Sequence, residues 1–267
     1  MLTSDYPFKK VLYRDFSYIR HLFRARNTLG YGIHSPYLYN LVHFVLYDNN
    51  AYYCYAPIEK ERLGLLQTKR SIDVEDFGTK RSGTRRICDI ARTSLKNRQE
   101  AQLLFRLTNN RRPKCVVELG TCLGITTSYL AKAAGRGKVV TIEGSHALAQ
   151  EAEKVLHHLG IQNVHQETGD ISQRLPAVLQ EAGVVDMAFI DANHKKAPTL
   201  LYFEQIAGYC TDDSILVIDD IHSSREMAEA WQAIQAHKQV TACLDCFSMG
   251  IVFFRPHLMK QTYYLHI

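Results

Sequence analysis

Residues Val116-Val117-Glu118-Leu119-Gly120-Thr121-Cys122-Leu123-Gly124-Ile125-Thr126-Thr127 run from an apolar strand, through an acidic, glycine-bearing turn, into a helix. In a parallel α/β sheet, small molecules bind at the carboxyl ends of the strands, where the topology switches. Gly120 and Gly124 let the backbone turn tightly and approach a ligand, because neither carries a Cβ. A dinucleotide fingerprint has a third glycine after a G-x-G pair. This turn has G-x-x-x-G behind a glutamate, which argues against NAD and FAD.

Four further strand ends follow the same pattern. Lys138-Val139-Val140-Thr141-Ile142-Glu143 ends in an acid about twenty residues beyond the first turn, where a carboxylate accepts both hydroxyls of a ribose. Asn163-Val164-His165-Gln166-Glu167 leads through Thr168-Gly169 to Asp170-Ile171, which places Asp170 to meet an adenine amino group. Val185 to Asp191 and Ser214 to Asp220 are two more apolar runs ending in carboxylates. Any one of these ends has a purely structural explanation, but five together form a constellation.

Between the strands the periodicity becomes helical, over 126–134, 147–159, 175–181, 198–209 and 223–237. Ser223-Ser224-Arg225-Glu226 has the capping-box pattern and predicts a helix start. Residues 240–247 and 250–254, separated by Ser248-Met249, predict a closing hairpin. Alternating strands and helices imply an α/β fold with a parallel sheet covered on both faces, the hairpin forming an antiparallel edge.

From about Asn97 to Arg255 the chain resembles the class I S-adenosylmethionine-dependent methyltransferases, and more narrowly the catechol and caffeoyl-CoA type of O-methyltransferase. The resemblance is carried by Glu118-Leu119-Gly120 with Gly124, the strand ending Thr141-Ile142-Glu143, the Gly169-Asp170 turn, Asp186 to Asp191, and the Asp219-Asp220 strand end. It implies a Rossmann-like seven-stranded sheet with a reversed last strand, with S-adenosyl-L-methionine as cofactor. The implied cofactor set is Glu118 and Gly120 at the methionine end, Gly124 at the helix start, Glu143 at the ribose, Asp170 and Ile171 near the adenine, and Asp191.

In the metal-dependent branch of that family, the positions of Asp191, Asp219 and Asp220 hold a divalent cation such as Mg2+. The third ligand there is usually an asparagine, and here it is Asp220. Converging carboxylates repel one another unless a cation neutralises them or a proton is retained. Such a cation also lowers the pKa of a coordinated hydroxyl and orients it. The other reading of Asp220 is contact with backbone donors ahead of the last helix. His194 takes the place at which the resembling enzymes carry a lysine base. With an unperturbed pKa of about 6.5, a histidine accepts a proton near neutral pH without the depression a lysine needs. Lys195, next to it, and His222, just after the aspartate pair, are the other catalytic candidates.

The 267 residues divide on this reading into a mainly helical N-terminal extension, 1–96, and a methyltransferase domain, 97–267. Residues 1–112 carry 20 Lys plus Arg against 10 Asp plus Glu, and the remainder carries 12 against 17. The basic first part suits an acidic partner, or is a solvated face attracted to the acidic domain. Ten of the fifteen tyrosines precede Ala56, which fits a cap over an acidic or aromatic acceptor, although aromatics packed as core are the commoner arrangement. Ile58 to Leu66 predicts an amphipathic segment and Asp76 to Gly83 a flexible loop. No apolar run approaches a bilayer-spanning length and the start lacks a signal-peptide core, so a cytoplasmic protein with no membrane partner is expected. The seven cysteines read as buried reduced thiols, Cys243-x-x-Cys246 included.

The function expected is metal-assisted O-methylation of a small hydroxylated acceptor, with a homodimer as a further partner to consider. The enzyme alternative is methylation of RNA or protein through the basic region. Enzymes that methylate an amino nitrogen of RNA often carry an N-P-P-Y-like strand end, and Ile218-Asp219-Asp220-Ile221 is not one. The non-enzyme alternative, a cofactor-binding module without chemistry, has no need of Asp191, His194, Asp219 and Asp220 together.

Overall fold

The computed structural model describes residues 5–75 and 82–267, with side chains from residue 13 onward. In chain order the elements are α1 (Asp5–Arg24), α2 (Pro36–Leu41), α3 (Tyr55–Gln67), β1 (Ser71–Val74), β2 (Gly83–Arg86), α4 (Ile87–Ser94) and α5 (Arg98–Arg111). They continue with β3 (Cys115–Leu119), α6 (Ile125–Ala134), β4 (Lys138–Glu143), α7 (His146–His158), β5 (Val164–Thr168) and α8 (Ile171–Ala182). The chain ends with β6 (Val185–Ile190), α9 (Lys196–Ala207), β7 (Cys210–Asp219), α10 (Arg225–Ala236), β8 (Ala242–Asp245), β9 (Met249–Phe253) and β10 (Gln261–Tyr264). Eight strands form one sheet in the order β10-β8-β9-β7-β6-β3-β4-β5. Contacts divide the chain into two compact units, 48–187 and 1–47 with 188–267, and neither boundary falls at residue 96.

Within 48–187, β3 pairs parallel to β4 and β4 parallel to β5. Val116, Val117, Leu119, Val139 and Ile142 are almost wholly buried, as strands covered on both faces require. Asp186, in β6, fixes the start of β3: its Oδ2 accepts from the backbone N–H groups of Lys114 (2.7 Å) and Cys115 (3.0 Å). Asn97 caps α5 by accepting from Glu100 N at 2.9 Å. Tyr52 and Tyr55 pack with Phe105 and Tyr129 in the core around α3, α5 and α6. For these two tyrosines core packing is therefore the arrangement found, whereas Tyr53 is exposed. Arg70 pairs with Glu151 of α7, an instance of the attraction expected between the basic segment and the acidic domain.

Residues 1–96 also contain an antiparallel hairpin, formed by β1 and β2. The sequence hides it: Gly83-Thr84-Arg85-Arg86 is exposed at every position and has no apolar alternation. Of the loop expected over 76–83, residues 76–81 lie outside the described residues, as do 1–4.

In the other unit, β9 runs antiparallel to both β7 and β8, which is the reversed strand that the resemblance implies. Two expectations are corrected. The hairpin does not form the sheet edge, and the sheet has eight strands instead of seven, because β10 pairs parallel to β8. Asn27 covers the far side of β10: its backbone N donates to Tyr264 O and its Oδ1 accepts from Tyr264 N, both at 3.1 Å. An otherwise open edge is thereby blunted. The hairpin connection is Cys246 to Ser248, not Ser248-Met249. The cap of α10 is Ser224, which accepts from Met227 N at 3.1 Å, one residue beyond the capping box read from Ser223. Gly250 of β9 admits no side chain, since a Cβ there would lie 2.5 Å from the Trp231 ring.

All seven cysteines are free thiols. Burial pushes the Cys243 thiol up to about 12, so it is inert. No helix among the described residues is long and apolar enough to cross a membrane.

Candidate active site

In the unit 48–187, the ends of β3, β4 and β5 carry the residues assigned to the cofactor. Glu118 is completely buried. Its Oε2 accepts from the hydroxyls of Thr127 (2.6 Å) and Thr141 (2.7 Å). The Thr141 proton is thus committed, so Thr121 donates in the 2.6 Å contact between the two threonine hydroxyls. Glu118 Oε1 has no hydrogen-bond partner among the described residues. Burial pushes this carboxyl up to about 7, against the pull of the two threonine donors.

Glu143 is held by backbone donors. Its Oε2 accepts from Cys122 N at 2.8 Å and its Oε1 from Ser145 N at 3.0 Å, which fixes the carboxylate beside the Gly120 turn. Gly120 has φ +100° and Cys122 φ +51°. Gly124, at φ +78°, starts α6, and a Cβ there would sit 3.0 Å from Cα and Cβ of Ala152. Glycine at 124 is therefore demanded twice, by the left-handed backbone and by the approach of α7. Asp170 is the N-cap of α8, its Oδ1 accepting from Ser172 N (2.8 Å) and from the Ser172 hydroxyl (2.7 Å). Ile171 begins that helix and is buried.

In the unit formed by 1–47 and 188–267, the chain leaves β6 through Asp191 and turns on two successive left-handed residues, Asn193 (φ +62°) and His194 (φ +37°). Non-glycine residues in this region cost roughly 1 to 3 kcal/mol each, and they concentrate at functional sites. Asn193 Nδ2 donates to the hydroxyl of buried Tyr202 at 2.7 Å, which locks the turn. The His194 ring then lies between two carboxylates, with Nε2 3.4 Å from Asp191 Oδ1 and Nδ1 3.8 Å from Asp220 Oδ2. Asp219, at the end of β7, is buried, and Asp220 follows it at φ +53°.

The structure groups Asp191, His194 and Asp219, whose ligand atoms all lie within 4.8 Å of one another. Asp220, expected in that set, faces His194 instead. Lys195 is exposed and precedes α9 as its N-cap. His222 turns to a different acid: its Nε2 lies 2.9 Å from Asp245 Oδ2. Asn193 and the three threonines around Glu118 were missed by sequence reasoning. An Asn directly before His194 was a readable signal, since Asn tolerates the left-handed region.

The family described as "Methyltransferase domain" matches residues 117–221. A catechol O-methyltransferase of Mycobacterium tuberculosis is 29% identical over 125 residues, which cover 46% of this chain and 55% of that protein. The chain thus spans about half the length of that relative. An SAH-bound methyltransferase from Podospora anserina superposes with a TM-score of 0.59 at 12% identity, over 82% of this chain and 96% of that one. An O-methyltransferase from Bacillus cereus in complex with SAH gives 0.55 at 15% identity, over 77% and 92%. The two structures show the fold. Together these findings bear out the resemblance to the class I S-adenosylmethionine-dependent O-methyltransferases.

Proposed function

We propose that the chain transfers a methyl group from S-adenosylmethionine to a hydroxyl of a small acceptor, with His194 as the general base. The observation that carries this reading is the His194 imidazole held between Asp191 and Asp220 on a turn with three left-handed residues nearby. A carboxylate on each side orients the ring and stabilises the imidazolium that forms when it takes a proton.

The cofactor would supply an electrophilic methyl carbon bound to sulfur. The residues at the β3, β4 and β5 ends fit such a group. The orphaned, buried Glu118 Oε1 is an acceptor awaiting a donor, and the Glu143 carboxylate is fixed beside the Gly120 turn by two backbone N–H groups. The acceptor hydroxyl would give its proton to His194, and the cofactor, when bound, would supply the methyl group to the acceptor oxygen with its sulfur as the leaving group.

Asp191 and Asp219, grouped with His194, would supply carboxylate oxygens to a divalent cation, which leaves the His194 ring to take the proton. Oxygen ligands of this kind suit magnesium or manganese. When bound, the cation would polarise the acceptor oxygen. Methyl-labelled S-adenosylmethionine incubated with catechols, hydroxylated acyl thioesters and bulk RNA, with and without chelator, tests the reading. Labelled methyl ether on the small acceptors is the expected product. Label in RNA alone, or none on any acceptor, would contradict it.

A further inference from the structure

A second cluster of potential ligands lies away from the acids assigned above. His21 of α1, His222 beyond β7 and Asp245 at the end of β8 bring two ring nitrogens and a carboxylate oxygen within 4.8 Å of one another. His21 is 3% exposed and Asp245 1%, while the His222 side chain is 13% exposed.

The hydrogen bonds define what each group offers. His21 Nε2 lies 2.9 Å from Leu265 O. A carbonyl only accepts, so Nε2 carries the proton, and in the neutral ring Nδ1 is a bare lone pair. That lone pair has no hydrogen-bond partner and sits 3.4 Å from Asp245 Oδ1. An imidazole lone pair facing a carboxylate oxygen is repulsive unless a proton or a metal cation lies between them. Asp245 is itself oriented by Trp231 Nε1 (3.0 Å to Oδ2) and Phe247 N (3.1 Å to Oδ1).

The distances suit a tetrahedral ion. Metal–ligand bonds of about 2.0 to 2.1 Å place ligand atoms roughly 3.3 Å apart. Here His21 Nδ1 is 3.4 Å from Asp245 Oδ1, and His222 Nε2 is 3.1 Å from Oδ1 and 2.9 Å from Oδ2. A backbone carbonyl on the far nitrogen of His21 is the arrangement that fixes tautomer and ring orientation in metal sites. We propose that His21, His222 and Asp245 bind one divalent first-row transition-metal ion of the zinc class, clamping α1 to the end of β8 and to the segment after β7. The ion is structural, because two of its three ligands are buried and it joins α1 to β8, and it is distinct from any cation held by Asp191 and Asp219. A nitrogen-rich set of two imidazoles and one carboxylate selects against magnesium and calcium.

The full chain, stripped with chelator and dialysed, is titrated with Co2+ and separately with Zn2+. Wild-type protein and Asp191→Asn are both expected to develop the intense visible absorption of four-coordinate Co2+, to retain one equivalent of Zn2+, and to unfold at higher temperature with Zn2+ than without. His21→Gln is expected to lose that absorption and to bind Zn2+ at least roughly 100-fold more weakly, since even losing a residue that only orients a ligand costs 10- to 100-fold. Circular dichroism establishes that the variant is folded, and Asp245→Asn replaces it if it is not. Wild-type protein without four-coordinate Co2+ absorption overturns the proposal whatever the variants do. So does absorption that survives in His21→Gln, or that disappears in Asp191→Asn.

Discussion

Replacing Glu118 by glutamine isolates the cost of burying its charge. The carboxyl titrates at about 7 in the folded chain against an ordinary value of 4.5, with burial as the cause. A raised value means the folded state holds its proton more tightly than the unfolded state does. The resulting stability is fully present below pH 4.5 and is lost as pH rises through 7. Linkage over that window amounts to about 2 to 3 kcal/mol between pH 5 and pH 8. The glutamine variant has no titrating group at this position. Its amide leaves buried N–H donors beside the threonine pair, which costs roughly 1 to 3 kcal/mol at every pH. The absolute stabilities of the two proteins therefore matter less than how their difference changes with pH. Urea unfolding of cofactor-free protein at several pH values should show the wild type losing about 2 to 3 kcal/mol relative to Glu118→Gln from pH 5 to pH 8. A difference that stays constant over that range would refute the argument and place water at Glu118.

Glu143→Ala should weaken S-adenosylmethionine binding about 10- to 100-fold by calorimetry, since hydrogen bonds to a charged group contribute roughly 1.5 to 3 kcal/mol. Unchanged affinity in a folded variant would remove Glu143 from the ribose. Gly250→Ala drives a Cβ into the Trp231 ring and should destabilise the fold by about 1 to 3 kcal/mol in denaturant unfolding, while loosening the Trp231 bond to Asp245. Unaltered stability would mean the ring moves freely. Thorough chelation should slow methyl transfer, and magnesium or manganese, which suit the Asp191 and Asp219 oxygens, should restore it. A full rate after chelation would leave acid–base chemistry without a metal.

What was legible in the sequence follows from where information is stored locally. The strands β3, β4 and β6 were readable because each is a continuous apolar run buried on both faces. Glu118 and Glu143 stood out as acids within or ending such runs. The strand β10 was not readable, because Gln261-Thr262-Tyr263-Tyr264 is short and is held from outside by Asn27, far away in sequence. The hairpin of β1 and β2 escaped because its exposed strand carries no apolar pattern. At the site, Asp191 and His194 were found by their place after a strand. The turn of Asp220 toward His194 depends on a left-handed backbone that no local pattern announced. His222 looked catalytic from its position after the aspartate pair, yet it bonds Asp245 and its ring neighbours that of His21, residues from opposite ends of the chain.

Turnover and cofactor affinity measured together on His194→Ala test the central claim most directly. With a hydroxylated acceptor that the wild type methylates, the account predicts turnover lowered about 100- to 10,000-fold and an unchanged dissociation constant for S-adenosylmethionine. Near-normal turnover in the folded variant would contradict it and move the proton to Lys195 or to a metal-bound acceptor.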